Sequence, residues 1–215
     1  MEIKNYTKRF KDKTIFQNFN LNLNDGEVTA ILGNSGVGKT TLLNALAGLD
    51  LEFDGQIDRR PCAYIFQEPR LLKGATVFQN IFLACHNNDT AAYYLNAVEL
   101  GEHGDKYPKQ LSGGMAQRVS MARAFASERP VLLMDEPFSS LDIGLKYRLF
   151  DTFRTLWSKT RPTTVFITHN PDEALELCNR IVVLKGSPAT VVLDVDVTNT
   201  PREEVKRELV KILTE

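Results

Sequence analysis

Apolar and polar residues alternate strictly in FNLNLN (19–24), which sets Phe19, Leu21 and Leu23 on one face and predicts a half-buried strand. The pattern then changes. Short, nearly continuous apolar runs occupy 28–32, 63–66, 131–134, 164–168 and 180–184. Such runs suit strands covered on both faces, as in a parallel sheet flanked by helices. Between them, helical patterns fall at 40–47, 145–159 and 171–178. This alternation predicts an α/β doubly wound core.

Residues 68–126 break the alternation. TAAYYLNAVEL and AQRVSMARAFA are helix-compatible and no strand pattern separates them, so a helical lobe inserted into the core is expected. The expected organisation is a core from 1–67 and 127–190, a helical subdomain at 68–126, and a C-terminal strand and helix over 191–215. That last helix reads from Thr200 as N-cap, with Pro201 at the first helical position and Glu203 closing a capping box. Val205, Leu209 and Ile212 share its inner face.

Composition narrows the classes. With 215 residues, 43% apolar and 25% charged, the chain suits one sizeable domain with an inserted lobe. A net charge of −1 gives no electrostatic footprint for nucleic acid or an anionic membrane. No apolar run approaches the roughly 18 residues of a membrane span. The opening MEIKNYTKRF lacks an apolar core of signal-peptide length. Cys62, Cys85 and Cys178 are widely spaced, odd in number and lack metal spacing, which suggests buried thiols in a reducing compartment and a cytoplasmic location.

GNSGVGKT (33–40) matches G-x-x-x-x-G-K-[ST] in full, with a strand before it and an amphipathic helix after it. Glycines at 33, 36 and 38 let backbone N–H groups converge on phosphate oxygens at the positive end of a helix. Asn34, Ser35 and Val37 fill the loop, Lys39 supplies charge to the outer phosphates, and the Thr40 hydroxyl can ligate Mg²⁺, with Thr41 following. The chain is expected to bind a nucleoside triphosphate.

VLLMDEP (131–137) reads as a buried strand ending in two acids, at the edge where α/β sheets bind ligands. Asp135 is placed to hold Mg²⁺, and Glu136 to orient or deprotonate an attacking water. Gln67 after AYIFQ and His169 after TVFITH occupy equivalent edges; Gln67 is a candidate for water or metal, His169 for a γ-phosphate oxygen. LSGGMAQRV (111–119) carries no acid–base or metal-binding side chain ahead of its helix, yet its Ser hydroxyl and backbone N–H groups suit a phosphate.

Taken in order, the phosphate loop, strand-end Gln, LSGGMAQRV, MDEP, SSLD and strand-end His resemble the ATP-binding subunit of an ABC transporter over residues 1 to 185. The resemblance implies a P-loop NTPase (RecA-like) fold with a mostly parallel sheet, an inserted helical subdomain and an N-terminal antiparallel β region. It also implies that Phe10 stacks on adenine, and that Ser112, Gly113 and Gly114 form the signature, Asp142 the D-loop and His169 the switch histidine. Two subunits, copies or paralogues, would sandwich ATP head to tail between one phosphate loop and the other's signature. Hydrolysis would drive transmembrane permease subunits from the cytoplasmic face of the membrane, with an extracytoplasmic solute-binding protein in the complex and no nucleic acid. LSGGM, FQEPRLL and the PREE…LVKIL tail are similar to importers of the nitrate, sulfonate and taurine group. LSGGM is also similar to some glycine-betaine and lipid-transport ATPases. A soluble P-loop kinase would need an acceptor pocket and leaves the Ser-Gly-Gly loop without a role.

Overall fold

The computed structural model describes residues 1–11, 13–139 and 141–214. The first part of the chain forms β1 (Glu2–Phe10), β2 (Lys13–Asn22), β3 (Val28–Gly33), α1 (Lys39–Leu46), β4 (Asp54–Ile57) and β5 (Cys62–Ile65). Then come α2 (Val77–Cys85), α3 (Asn88–Ala97), α4 (Gly113–Ala126), β6 (Val131–Asp135) and α5 (Ile143–Thr160). The chain finishes with β7 (Thr163–Ile167), α6 (Pro171–Leu177), β8 (Arg180–Lys185), β9 (Thr190–Asp196) and α7 (Arg202–Thr214). Two compact bodies result: Met1–Cys62 with Thr163–Glu215, and Ala63–Pro162.

In the first body, β2, β1 and β4 form an antiparallel sheet in that order. Phe19, Leu21 and Leu23 are all buried, as their alternation requires. The second sheet segment runs β7-β3-β8-β9, parallel except for β9, which returns antiparallel along β8. Every residue of β3 and β7 is buried. Two covered faces explain why these runs are continuously apolar instead of alternating.

α7 docks through Val205 and Leu209, both fully buried, while Ile212 is only half-buried. Its start differs from the expectation by one residue. The amides of Glu204 and Val205 both donate to the Pro201 carbonyl, so Pro201 itself stands at the N-cap and Arg202 opens the helix. Proline loses nothing there, because the N-cap's own N–H lies outside the helical ladder.

In the second body β5 and β6 are neighbours, and α2, α3 and α4 pack together. Each helix start is fixed by its sequence. Thr76 and Gln79 form a capping box on α2, Asn87 caps α3, Ser112 caps α4 and Asp142 caps α5. Such a cap contributes about 1 kcal/mol. Phe150 and Phe153 of α5 bury edge-on against Phe138 and Phe125, each ring supplying about 1.5–3 kcal/mol by burial.

Candidate functional site

The first body presents a phosphate loop between β3 and α1. The strand ends at Gly33, where φ is +150° and an added Cβ would run into the Leu184 carbonyl of β8. Gly38 has φ +115°, and a Cβ there would stand 2.5 Å from Ile15 and 2.8 Å from Phe16 of β2. Only glycine lets the loop lie this close to both sheets. Between them Asn34, Ser35 and Gly36 are exposed, and the turn closes through the Val37 amide on the Asn34 carbonyl at 3.3 Å.

Lys39 is buried, and its Nζ donates to the carbonyls of Gly33 at 2.7 Å and Asn34 at 3.1 Å. Two loop carbonyls thus hold a cation at the positive end of α1. Thr40 is exposed in the first turn of that helix, and Thr41 is half-buried beside it.

Phe10 ends β1 and is 49% exposed, with Lys8 Nζ 4.7 Å from its ring centroid. Lys8 is buried and held by Asp50 at 2.8 Å and the Glu52 carbonyl at 2.7 Å. Because Lys8 pairs with the same Phe16 that abuts Gly38, β1 and β2 bring Phe10 towards the phosphate loop. His169 is exposed beyond β7, and the register Ile31↔Ile167 puts it level with Gly33 on β3. Its backbone is anchored next door, where buried Thr168 donates to Glu173 at 2.6 Å. The first body therefore carries residues 33–41, Phe10 and His169.

The second body carries the acids, the glutamine and the signature. Asp135 ends β6, and its Oδ2 accepts from the Tyr64 hydroxyl of β5 at 3.5 Å. Glu136 follows in a left-handed conformation, φ +44°. Non-glycine residues enter that region at a cost, and such strain collects at functional sites. Gln67 Nε2 donates to Ser139 Oγ at 3.3 Å, and Ser139 Oγ donates to the Glu136 carbonyl at 3.0 Å. Ser139, not among the expected site residues, thus links Gln67 to the acid. Its signal was the SSLD motif three residues beyond the acids.

Ser112 and Gly113 are exposed at the start of α4, and Ser112 Oγ accepts from the Met115 amide at 3.3 Å. That contact uses the oxygen as an acceptor and leaves its O–H as a donor. Gly114 is buried beneath Leu145, and Asp142 caps the same turn by accepting from the Leu145 amide at 2.9 Å. The start of α4 and the first turn of α5 are therefore built against each other.

No helix among the described residues is long and apolar enough to cross a membrane. Residues 16–139 match the ABC transporter family. The chain is 39% identical over 209 residues to the aliphatic sulfonates import ATP-binding protein SsuB 2 of Pseudomonas syringae pv. tomato, covering 94% of this chain and 90% of that one. It is 35% identical to the sulfate/thiosulfate import ATP-binding protein CysA of Bradyrhizobium diazoefficiens, covering 94% of this chain and 66% of that protein. The fold is similar to a dimeric bacterial ABC transporter cassette, with a TM-score of 0.79, 28% identity and coverage of 91% and 98%. A dimeric cassette in a post-hydrolysis state bound to ADP and Pi gives a TM-score of 0.78 at 27% identity, with the same coverage. Phosphate loop, strand-end acids and signature helix, carried on this fold, make the chain a member of the ABC transporter family and its ATP-binding, ATP-hydrolysing subunit.

Proposed function

We propose that this subunit energises a bacterial importer for small sulfur oxoanions, with aliphatic sulfonates the first choice. The observation that carries the solute class is the 39% identity to a sulfonate import subunit across nearly the whole of both chains. In this reading ATP stacks on Phe10, its phosphates lie against residues 33–41, and Lys39 neutralises the outer charge. Thr40, Gln67 and Asp135 offer hard oxygen donors, the set Mg²⁺ prefers, and would hold that ion; when bound, it neutralises phosphate charge. Glu136 takes the proton of the attacking water, and His169 donates to the γ-phosphate.

The signature carries a second, separate phosphate-binding element, which supports a head-to-tail pair in which Ser112, Gly113 and Gly114 receive the nucleotide of a second copy or a paralogue. Asp142 lies beside it at the same interface. Permease subunits and an extracytoplasmic binding protein complete the complex at the cytoplasmic face of the membrane.

Two experiments test this. Glu136→Gln should keep ATP binding, reduce turnover by at least about a hundredfold and accumulate an ATP-bound dimer on gel filtration; undiminished turnover removes Glu136 from its role. A strain lacking the subunit should lose growth on an alkanesulfonate as sole sulfur source and recover it with the wild-type chain but not with Lys39→Ala. Normal growth without the subunit discards the sulfonate assignment, and co-purification with an export or lipid permease would replace it.

A further inference from the structure

Two side chains of α4 hold the backbone on either side of Gln67. Gln117 Nε2 donates to the Phe66 carbonyl at 3.4 Å, and Arg123 Nη1 donates to the Arg70 carbonyl at 2.7 Å. The segment between them also closes on itself, with the Arg70 guanidinium 3.8 Å from the Phe66 ring centroid. Phe66 in turn stacks on Tyr64 with centroids 4.0 Å apart and planes 13° from parallel. Gln67 therefore rides on a short loop pinned at both feet to the helix that begins with the signature. Gln67 thus lies inside a loop that is held at residues 66 and 70 and closed on itself by the Arg70–Phe66 contact.

The Gln117 amide is an expensive way to fill its position. The residue is 3% exposed, and its Oε1 finds no partner among the described residues, nor does Ser120 Oγ one turn further along. A methionine of the same length would fill the space without a buried, unsatisfied oxygen. What glutamine adds is the donor that reaches Phe66. Arg123 is likewise drawn out of water, and desolvation lowers its pKa. The carbonyl of Arg70 offsets part of that cost.

We propose that Gln117 and Arg123 are positioning residues, a two-point clamp that ties Gln67 to the signature loop of the same subunit. On the head-to-tail reading above, on which this rests, the signature serves the partner's nucleotide while Gln67 serves its own. Engagement of Ser112 and its neighbours by the partner's ATP then sets Gln67 in the opposite site, and the clamp couples the two sites of the pair.

The test compares Gln117→Met, Arg123→Met and Arg123→Lys in the full chain. Hydrogen exchange at residues 66–72 should accelerate in the two methionine variants, with α4 itself unchanged, and stay at the wild-type rate in Arg123→Lys. The methionine variants should lose about tenfold in kcat, keep ATP affinity within about twofold, and show a Hill coefficient closer to one. On a Gln67→Ala background they should cause no further loss. Unchanged exchange, or losses that multiply with that of Gln67→Ala, would overturn the clamp. If the chain failed to hydrolyse ATP, the functional reading would fall while the exchange comparison still judged the clamp. Should Gln117→Met not fold, the two Arg123 variants carry the same comparison.

Discussion

Leu145 lies over Gly114 so closely that a β-carbon on the glycine would collide with its Cδ2. The start of the signature helix and the first turn of α5 are thus fitted to each other through one missing methyl group. Gly114→Ala should destabilise the chain by about 1–2 kcal/mol through overpacking. Because the obstacle is a side-chain end, Gly114→Ala/Leu145→Ala should be more stable than the sum of the single changes in urea melts. Strict additivity would mean that the two residues do not meet.

Asp142 serves two purposes that substitution can separate. Its carboxylate caps α5, and it stands beside the signature. Asp142→Ala should lower stability by about 1 kcal/mol, whereas Asp142→Ser should keep most of the cap. If both variants impair ATP-driven dimerisation equally on gel filtration, the carboxylate acts at the interface. If only Asp142→Ala does, its role is that of a cap.

The parts of this arrangement that sequence reveals are those where one constraint dominates. β3, β7 and β8 are covered on both faces, so their composition alone marks them. The phosphate loop declares itself because Gly33 and Gly38 have no steric alternative. β4 carries no such mark, since its four residues DGQI include none that is buried and its pairing with β1 is a matter of backbone alone. Ser139 and the Gln117 and Arg123 bonds were invisible for a related reason. Each joins residues far apart in the chain through a carbonyl or hydroxyl that carries no compositional signal.

Asp25 links the amino terminus to the edge of the first body. It accepts from Arg60 at 2.8 Å and lies 3.4 Å from the terminal ammonium. The hydrogen bond from Arg60, then the two positive charges, hold its pKa below the ordinary aspartate range. A depressed carboxylate stabilises the fold above its unfolded-state pKa and loses that contribution as pH falls through the folded value. The melting temperatures of wild type and Asp25→Asn should therefore differ slightly at neutral pH and converge below the ordinary aspartate range. Because the carboxylate is exposed, added salt should shrink the difference. A gap that widens in acid would contradict the assignment.

Cys178 closes α6 in a buried setting where desolvation, with the nearby Glu173 charge, raises its thiol pKa well above the usual range. Cys62 and Cys85 are only half-buried, against the expectation of three buried thiols. Thiol titration of the native chain should modify Cys178 last, and only at the rate of global unfolding. Modification at the pace of Cys85 would mean that α6 opens locally.

On the role proposed for Glu136, its left-handed backbone sets hydrolysis and durability against each other. Glycine would adopt φ +44° without a clashing Cβ, so Glu136→Gly should melt higher than Glu136→Ala by the equivalent of about 1 kcal/mol. Selection of this chain for heat resistance alone would favour discarding the residue assigned to activate water. Stabilised variants chosen that way should be assayed for turnover before they are taken to represent the working subunit.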